Sequence, residues 1–202
     1  MMVKNIFGDS HEGKIKVKGE INMNTWIKFE EIANLKAVSF TAVCEGPEAA
    51  AWYALRDWAI KNISDYESRR FIGFAPAGHH PNGQDSDFHA YTAQMLLYGC
   101  EGDGQTYMGA EVTDAPAGLY LVGDVTLDKF CEDGTADIGA CMQKSSQVIY
   151  AHMQSMGSYD LDFSGRTFIE EHLFPKEWFT ANDPSGIFAD FKFWLPIKKK
   201  LK

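Results

Sequence analysis

A chain of 202 residues, 45% hydrophobic and 13% aromatic, is long enough to bury one sizeable core without disulfide staples. The 23% charged fraction argues against disorder, and no apolar run approaches the ~18 to 20 residues needed to cross a bilayer. Nineteen Lys and Arg against 28 Asp and Glu leave a formal charge of -9, which opposes nonspecific binding to phosphate backbones, so neither nucleic acid nor a membrane is expected as a direct partner. The start of the chain has no apolar signal core, which points to the cytoplasm. Cys44, Cys100, Cys131 and Cys141 show no CxxC pairing and read as reduced thiols.

Residues 1–31 read as a polar, Lys-rich leader with one short strand over 15–21, too few for a helix-turn-helix domain. Residues 35–43 are rich in β-branched and aromatic side chains and read as a strand. Gly46-Pro47-Glu48 then starts a helix, with Pro in the first turn and a carboxylate near the positive helix end. Ala51, Leu55 and Trp58, joined by Trp52, Ala59 and Ile63, give that helix a broad apolar face that a sheet would cover. Strands follow at 70–74 and 88–98, separated by a Gly/Pro/Asp-rich loop, and a turn at 101–104 leads into a further strand or bent hairpin at 106–112.

The order then begins again. Residues 118–125 read as a strand and 137–156 as a helix stopped by Gly157. Residues 166–173 and 188–197 are two more strands, joined through a loop at 182–186. Each half is therefore strand, helix, strand, strand, and Phe71-Ile72 and Phe168-Ile169 stand at matching places in the two. The expected fold is α+β: duplicated βαββ units about a pseudo-twofold axis, an antiparallel sheet with two long helices, and a ligand groove at the junction. The expected domain covers residues 32–202, with repeat one at about 32–112 and repeat two at about 116–198.

Five pieces carry a family resemblance: Gly46-Pro47-Glu48, RFIGF at 70–74, PAGLY at 116–120, FIEEHL at 168–173 and FWLPI at 193–197. In this order and spacing the chain resembles the gyrase-inhibitor-like (GyrI-like) small-molecule-binding domains, bacterial SHS2-like duplications also found as effector-binding domains of AraC-type and MerR-type regulators. The resemblance implies an aromatic-lined pocket with a glutamate of the penultimate strand at its floor. That glutamate falls on Glu170, with His172 where a tyrosine is usual. Alternation puts Phe168, Glu170 and His172 on one strand face and Ile169, Glu171 and Leu173 on the other. Glu170 is therefore the first candidate and Glu171 the second. The resemblance also places Tyr91 and Tyr120 in strands bordering the groove. Trp194, which shares a face with Lys192, either lines the groove or covers the sheet. Where many members carry Gly-Tyr-Glu in the third strand, this chain has Ala90-Tyr91-Thr92, so a second pocket carboxylate is missing.

A carboxylate among rings attracts a planar cation and, when partly protonated, can act as an acid. The function expected is that of a stand-alone module capturing an aromatic or cationic small molecule, for toxin sequestration or sensing. The alternative is a cofactor-independent hydrolase of cyclopropanoid, DNA-alkylating compounds, with Glu170 and Glu171 as its catalytic pair; a gyrase-modulating role is a weaker third. No GxSxG, GxxxxGK[ST], GxGxxG or HExxH pattern occurs, so no cofactor is expected. His79, His80 and His89 with Asp85 and Asp87 match no common zinc spacing, and no metal is expected. Ligand identity and oligomeric state, including a protein partner or a homodimer, stay open.

Overall fold

The computed structural model describes residues 26–76, 89–125 and 138–200. The chain runs through β1 (Ile27–Ile32) into β2 (Lys36–Cys44), then through Gly46 into α1 (Pro47–Asn62), with Pro47 at the start of the helix. β3 (Phe71–Phe74) and β4 (His89–Leu97) complete the first half. A small hairpin, β5 (Thr106–Tyr107) and β6 (Ala110–Asp114), leads to the second. There β7 (Gly118–Val125) is followed by α2 (Ile138–Met156), β8 (Tyr159–Leu161), β9 (Ile169–Leu173), α3 (Lys176–Thr180) and β10 (Asp190–Lys199). Among the described residues no helix is long and apolar enough to cross a membrane.

One ten-stranded sheet has the order β1-β7-β10-β9-β3-β4-β2-β6-β5, with β8 also on β10. All of its pairings are antiparallel. The first unit is ordered β2-β4-β3 and the second β7-β10-β9, so the two are equivalent and meet where β3 pairs with β9. This is the α+β fold with two long helices and a duplicated βαββ order that the resemblance implies. The pseudo-twofold axis passes through the β3–β9 pair, where Phe71 faces His172 and Gly73 faces Glu170.

The sheet cannot be flat. From β1 to β2 it crosses six inter-strand steps, about 29 Å at the usual spacing, yet residues 33–35 alone join these two strands and span at most about 14 Å. The sheet therefore curls into a half-barrel. Its outer face carries the helices: α1 packs on Val38, Phe71, Tyr91, Ala93 and Met95, and α2 on Leu121, Val125, Phe191, Phe193 and Leu195. The concave face holds a third cluster of Ile32, Ala37, Ile72, Leu96, Tyr120 and Trp194, drawn from edge and central strands alike. Burial of these three clusters is the main stabilising term.

The structure differs from the sequence reading in several places. β1, whose residues were read as leader up to 31, is an edge strand paired along its length with β7. Residues 166–168 do not pair, because the far end of β10 is taken by β8, which matches Ile197 with Leu161. Of the two readings for Thr106 to Val112, a strand or a bent hairpin, the structure has the hairpin, turning at Met108 and Gly109, both at positive φ. Helix α3 was not expected; its Trp178 and Phe179 are buried against α1 and β3. Cys141 is disulfide-bonded, while Cys44 and Cys100 are free. The disulfide at Cys141 departs from the reduced-thiol expectation. The loop of His79, His80, Asp85 and Asp87 and the strand expected at 15–21 lie outside the described residues.

Candidate functional site

At the β3–β9 junction the pleat sends Glu170 and His172 to the helix-bearing face and Glu171 to the concave one. Glu170 is mostly buried, its side chain 13% exposed. Tyr91 Oη donates to Glu170 Oε2 at 3.1 Å, and His172 Nε2 lies 3.3 Å from the same oxygen. Glu48, in the first turn of α1, brings a third polar group: one ligand atom from each of Glu48, Glu170 and His172 lies within 4.8 Å of the others. These three could share a proton or hold a small cation.

Rings pack around His172 and Tyr91, while Glu48 is exposed. The Trp52 ring lies 4.7 Å from His172 and 6.1 Å from Tyr91. His172 stacks on Phe174 at 5.1 Å and on Phe191 at 6.1 Å. Phe174 is backed by Trp178 at 3.8 Å. Gly73, directly across from Glu170, makes room for this packing: a Cβ there would stand 2.1 Å from Tyr91 Oη and 2.6 Å from the Trp52 ring.

The electrostatics follow from this packing. Burial, together with the charge of Glu170, raises the Glu48 carboxyl above its usual 4.5, with His172 pulling the other way. The Tyr91 phenol is pushed well above 10, first by burial and then by the charges of Glu170 and Glu48, so it stays a donor. Among the described residues no Lys or Arg forms an ion pair with Glu48 or Glu170. The other strongly held carboxylates are different: Glu171 pairs with Arg70 and Lys192, Glu101 with Arg69, and Asp162 with Arg166.

Of the residues expected from sequence, Glu170, His172 and Tyr91 are brought together. Phe168 lies on the same face but packs into the α2 core, its ring 4.9 Å from Phe163 and 5.3 Å from Phe193. Tyr120 and Trp194 are not part of the cluster: both are fully buried on the concave face, in edge contact with each other at 5.7 Å. The curl of the sheet puts that face on the inside, so Trp194 covers the sheet rather than lining the Glu170 site. Glu171 is also on that face and points away from Glu170.

Glu48, Trp52, Phe174 and Phe191 were not expected at the site. Glu48 had a sufficient local explanation in the helix dipole, and the three rings had one in core packing. The expected gap at Thr92 also has a different meaning, since Thr92 faces the concave side, where its hydroxyl pairs with Thr41 at 2.8 Å. The second carboxylate comes instead from α1.

A cavity of about 590 Å³ opens at the ends of β3 and β9, lined by Arg70, Glu171 and Lys192 on the concave side and by His172, Phe174 and Phe179 on the other. Burial alone would raise the Glu171 carboxyl, but the Arg70 hydrogen bonds and the charges of Arg70 and Lys192 outweigh it, and its pKa falls below 4.5.

No family model matches the chain, and no curated protein matches it in sequence. Among solved structures the chain is similar to the C-terminal domain of EcmrR, at 11% identity and a TM-score of 0.49, covering 86% of this chain and 98% of that one. It is also similar to a hydrolase from Listeria innocua, at 9% identity and a TM-score of 0.49, covering 86% and 92%. A third is an integron cassette protein from the mobile metagenome of Vibrio cholerae, at 9% identity and a TM-score of 0.40, covering 86% and 97%. Likenesses this weak say nothing about what the chain binds.

Proposed function

We propose that the protein captures a planar, cationic small molecule at Glu170, as a binding module for sequestration or sensing. One observation carries this reading: Glu170 and Glu48 sit together among aromatic rings with no Lys or Arg paired to either among the described residues. Two carboxylates held this close repel each other unless a proton or a cation joins them. A planar cation would supply the charge from the side of the exposed Glu48, with the nearby Trp52 ring adding about 0.5 to 2 kcal/mol of cation–π attraction. Tyr91 and His172 would then hold Glu170 in place.

The test is a fluorescence titration with a planar cationic dye, read through tryptophan quenching. Glu170→Gln is expected to weaken binding at least about tenfold, and Glu48→Gln to weaken it less. Wild-type affinity in Glu170→Gln would overturn the reading. Because burial and Glu170 raise the Glu48 carboxyl above its usual 4.5, it takes up its proton at a higher pH than a free glutamate does, and the protonated site is less negative. Dye affinity should therefore rise as pH increases through the Glu48 titration, and Glu48→Gln should flatten that rise.

A second reading draws on the same two carboxylates. Glu48, holding a proton, can act as an acid while Glu170 activates water. The reaction would be hydrolytic opening of a strained ring such as a cyclopropane, with the water hydroxyl ending on one carbon and a proton on the other. Opened product accumulating over many turnovers would favour hydrolysis; unchanged compound would favour capture.

A further inference from the structure

We propose that the concave face carries a second binding site, for an organic monoanion, at the charged end of the half-barrel. Here Arg70 Nε and Nη2 donate to Glu171 Oε1 and Oε2 at 2.7 and 3.0 Å, and Lys192 Nζ donates to Oε2 at 3.2 Å. Glu171 is 1% exposed, so its charge is neutralised inside the protein rather than by water. β1 curls over this group: Glu30 lies 3.5 Å from Arg70 Nη2 and 3.3 Å from Lys28 Nζ. Four cations, Lys28, Arg69, Arg70 and Lys192, thus line one cavity with three carboxylates, Glu30, Glu67 and Glu171.

A local surplus of one positive charge is unusual in a chain of net charge -9. The surplus is also held in place. The Arg70 guanidinium lies 5.2 Å over the Trp194 ring and is locked onto Glu171, and its Nη1 has no hydrogen-bond partner among the described residues. Preorganised donors of this kind bind an anion without having to be ordered first. The cavity is about 590 Å³, within the range that holds small organic ligands.

The far wall is apolar. Phe174 and Phe179 border the same cavity, and Leu173, on the concave side of β9, is 47% exposed. An occupant with a carboxylate at one end and a ring or short alkyl chain at the other matches both walls. An aryl or alkyl carboxylate is therefore the class assigned. The strand pleat sends the two glutamates to opposite faces, so the charged end of this cavity is distinct from Glu170, although both sites border His172 and Phe174 at the end of β9.

Isothermal titration of the full chain with sodium benzoate at low ionic strength tests this. Benzoate is expected to bind in the micromolar to low millimolar range and to weaken about tenfold in Lys28→Gln and in Lys192→Gln. Both variants leave the two Arg70 hydrogen bonds to Glu171 in place. Glu171→Gln, which enlarges the positive surplus, should tighten benzoate binding, an effect opposite to that of losing a purely structural ion pair. No binding by the wild type at ten millimolar benzoate, or binding indifferent to both lysine substitutions, would overturn the proposal. Glu170→Gln should leave benzoate affinity unchanged, whereas loss of benzoate binding in that variant would overturn the separate site. A protein that binds benzoate but no dye would keep this site and refute the Glu170 reading.

Discussion

At Gly73 the constraint is space rather than backbone conformation. Its missing side chain lets the Tyr91 phenol and the Trp52 ring reach across β3 to Glu170. Gly73→Ala would have to push both aside, and is expected to cost about 1 to 3 kcal/mol in urea unfolding and to weaken the cationic dye. Wild-type stability and affinity in that variant would show that Tyr91 does not need the gap. Glu48 makes the opposite bargain. Its folded-state carboxyl is raised, so the stability linked to its proton is present at acidic pH and lost as pH rises through the folded value. At neutral pH Glu48→Gln should therefore stabilise the fold while weakening the dye, and a destabilised variant would contradict the like-charge account. Glu48 was in plain view in the sequence, in the first turn of a well-marked helix. No local pattern, however, says that a helix N-terminus will lie over a strand more than a hundred residues further on.

At the scale of elements, α3 is the part that sequence reading missed and that the site depends on. It is only five residues long and has no side-chain cap of its own, so no periodicity could have revealed it. It is held from outside: Arg56 of α1 donates to the carbonyl oxygens of Trp178, Phe179 and Ala181 at 2.7, 3.0 and 2.5 Å. A guanidinium at the end of a helix satisfies carbonyls that the helix leaves unpaired. Trp178 then supports Phe174, and Phe174 stacks on His172. Arg56→Ala should lower stability by about 2 to 4 kcal/mol through the orphaned carbonyls, and should also weaken the dye because Phe174, which holds His172, loses its backing. Arg56→Lys is expected to recover only part of either, since one ammonium cannot span three carbonyls as the planar fork does. Full recovery by Lys would show that charge alone holds α3.

Across the whole molecule, two carboxylates are held well below their ordinary range by hydrogen-bonded partners. Glu101, after β4, accepts two bonds from Arg69, just before β3, along with the Tyr98 N–H and the Tyr107 hydroxyl. The Arg69 bonds are the main reason its carboxyl is pulled down to about 2. Asp162 is likewise held at about 2, first by Ser164 and then by Arg166. Both folded values lie below the ordinary 4.5 and 3.8, so the stability they contribute is complete above those values and is lost as pH falls toward 2. Urea midpoints should therefore drop steadily over that acid range, with a shallower fall in Glu101→Gln. An identical acid slope in the variant would rule out Glu101 as a source.

The sequence by itself determined the order of the main elements, the duplication marked by Phe71-Ile72 and Phe168-Ile169, and the opposite faces of Glu170 and Glu171. Those are local properties, set by hydrophobic period, turn residues and the two-residue alternation of a strand. Alternation says that two residues point apart, but not which of the two faces the helices will cover. Only the tertiary structure decided that. The short link between β1 and β2 forces the sheet to curl, which buries Tyr120 and Trp194 inside, gathers the cations around Glu171, and leaves Glu170 on the outer face beneath the first turn of α1.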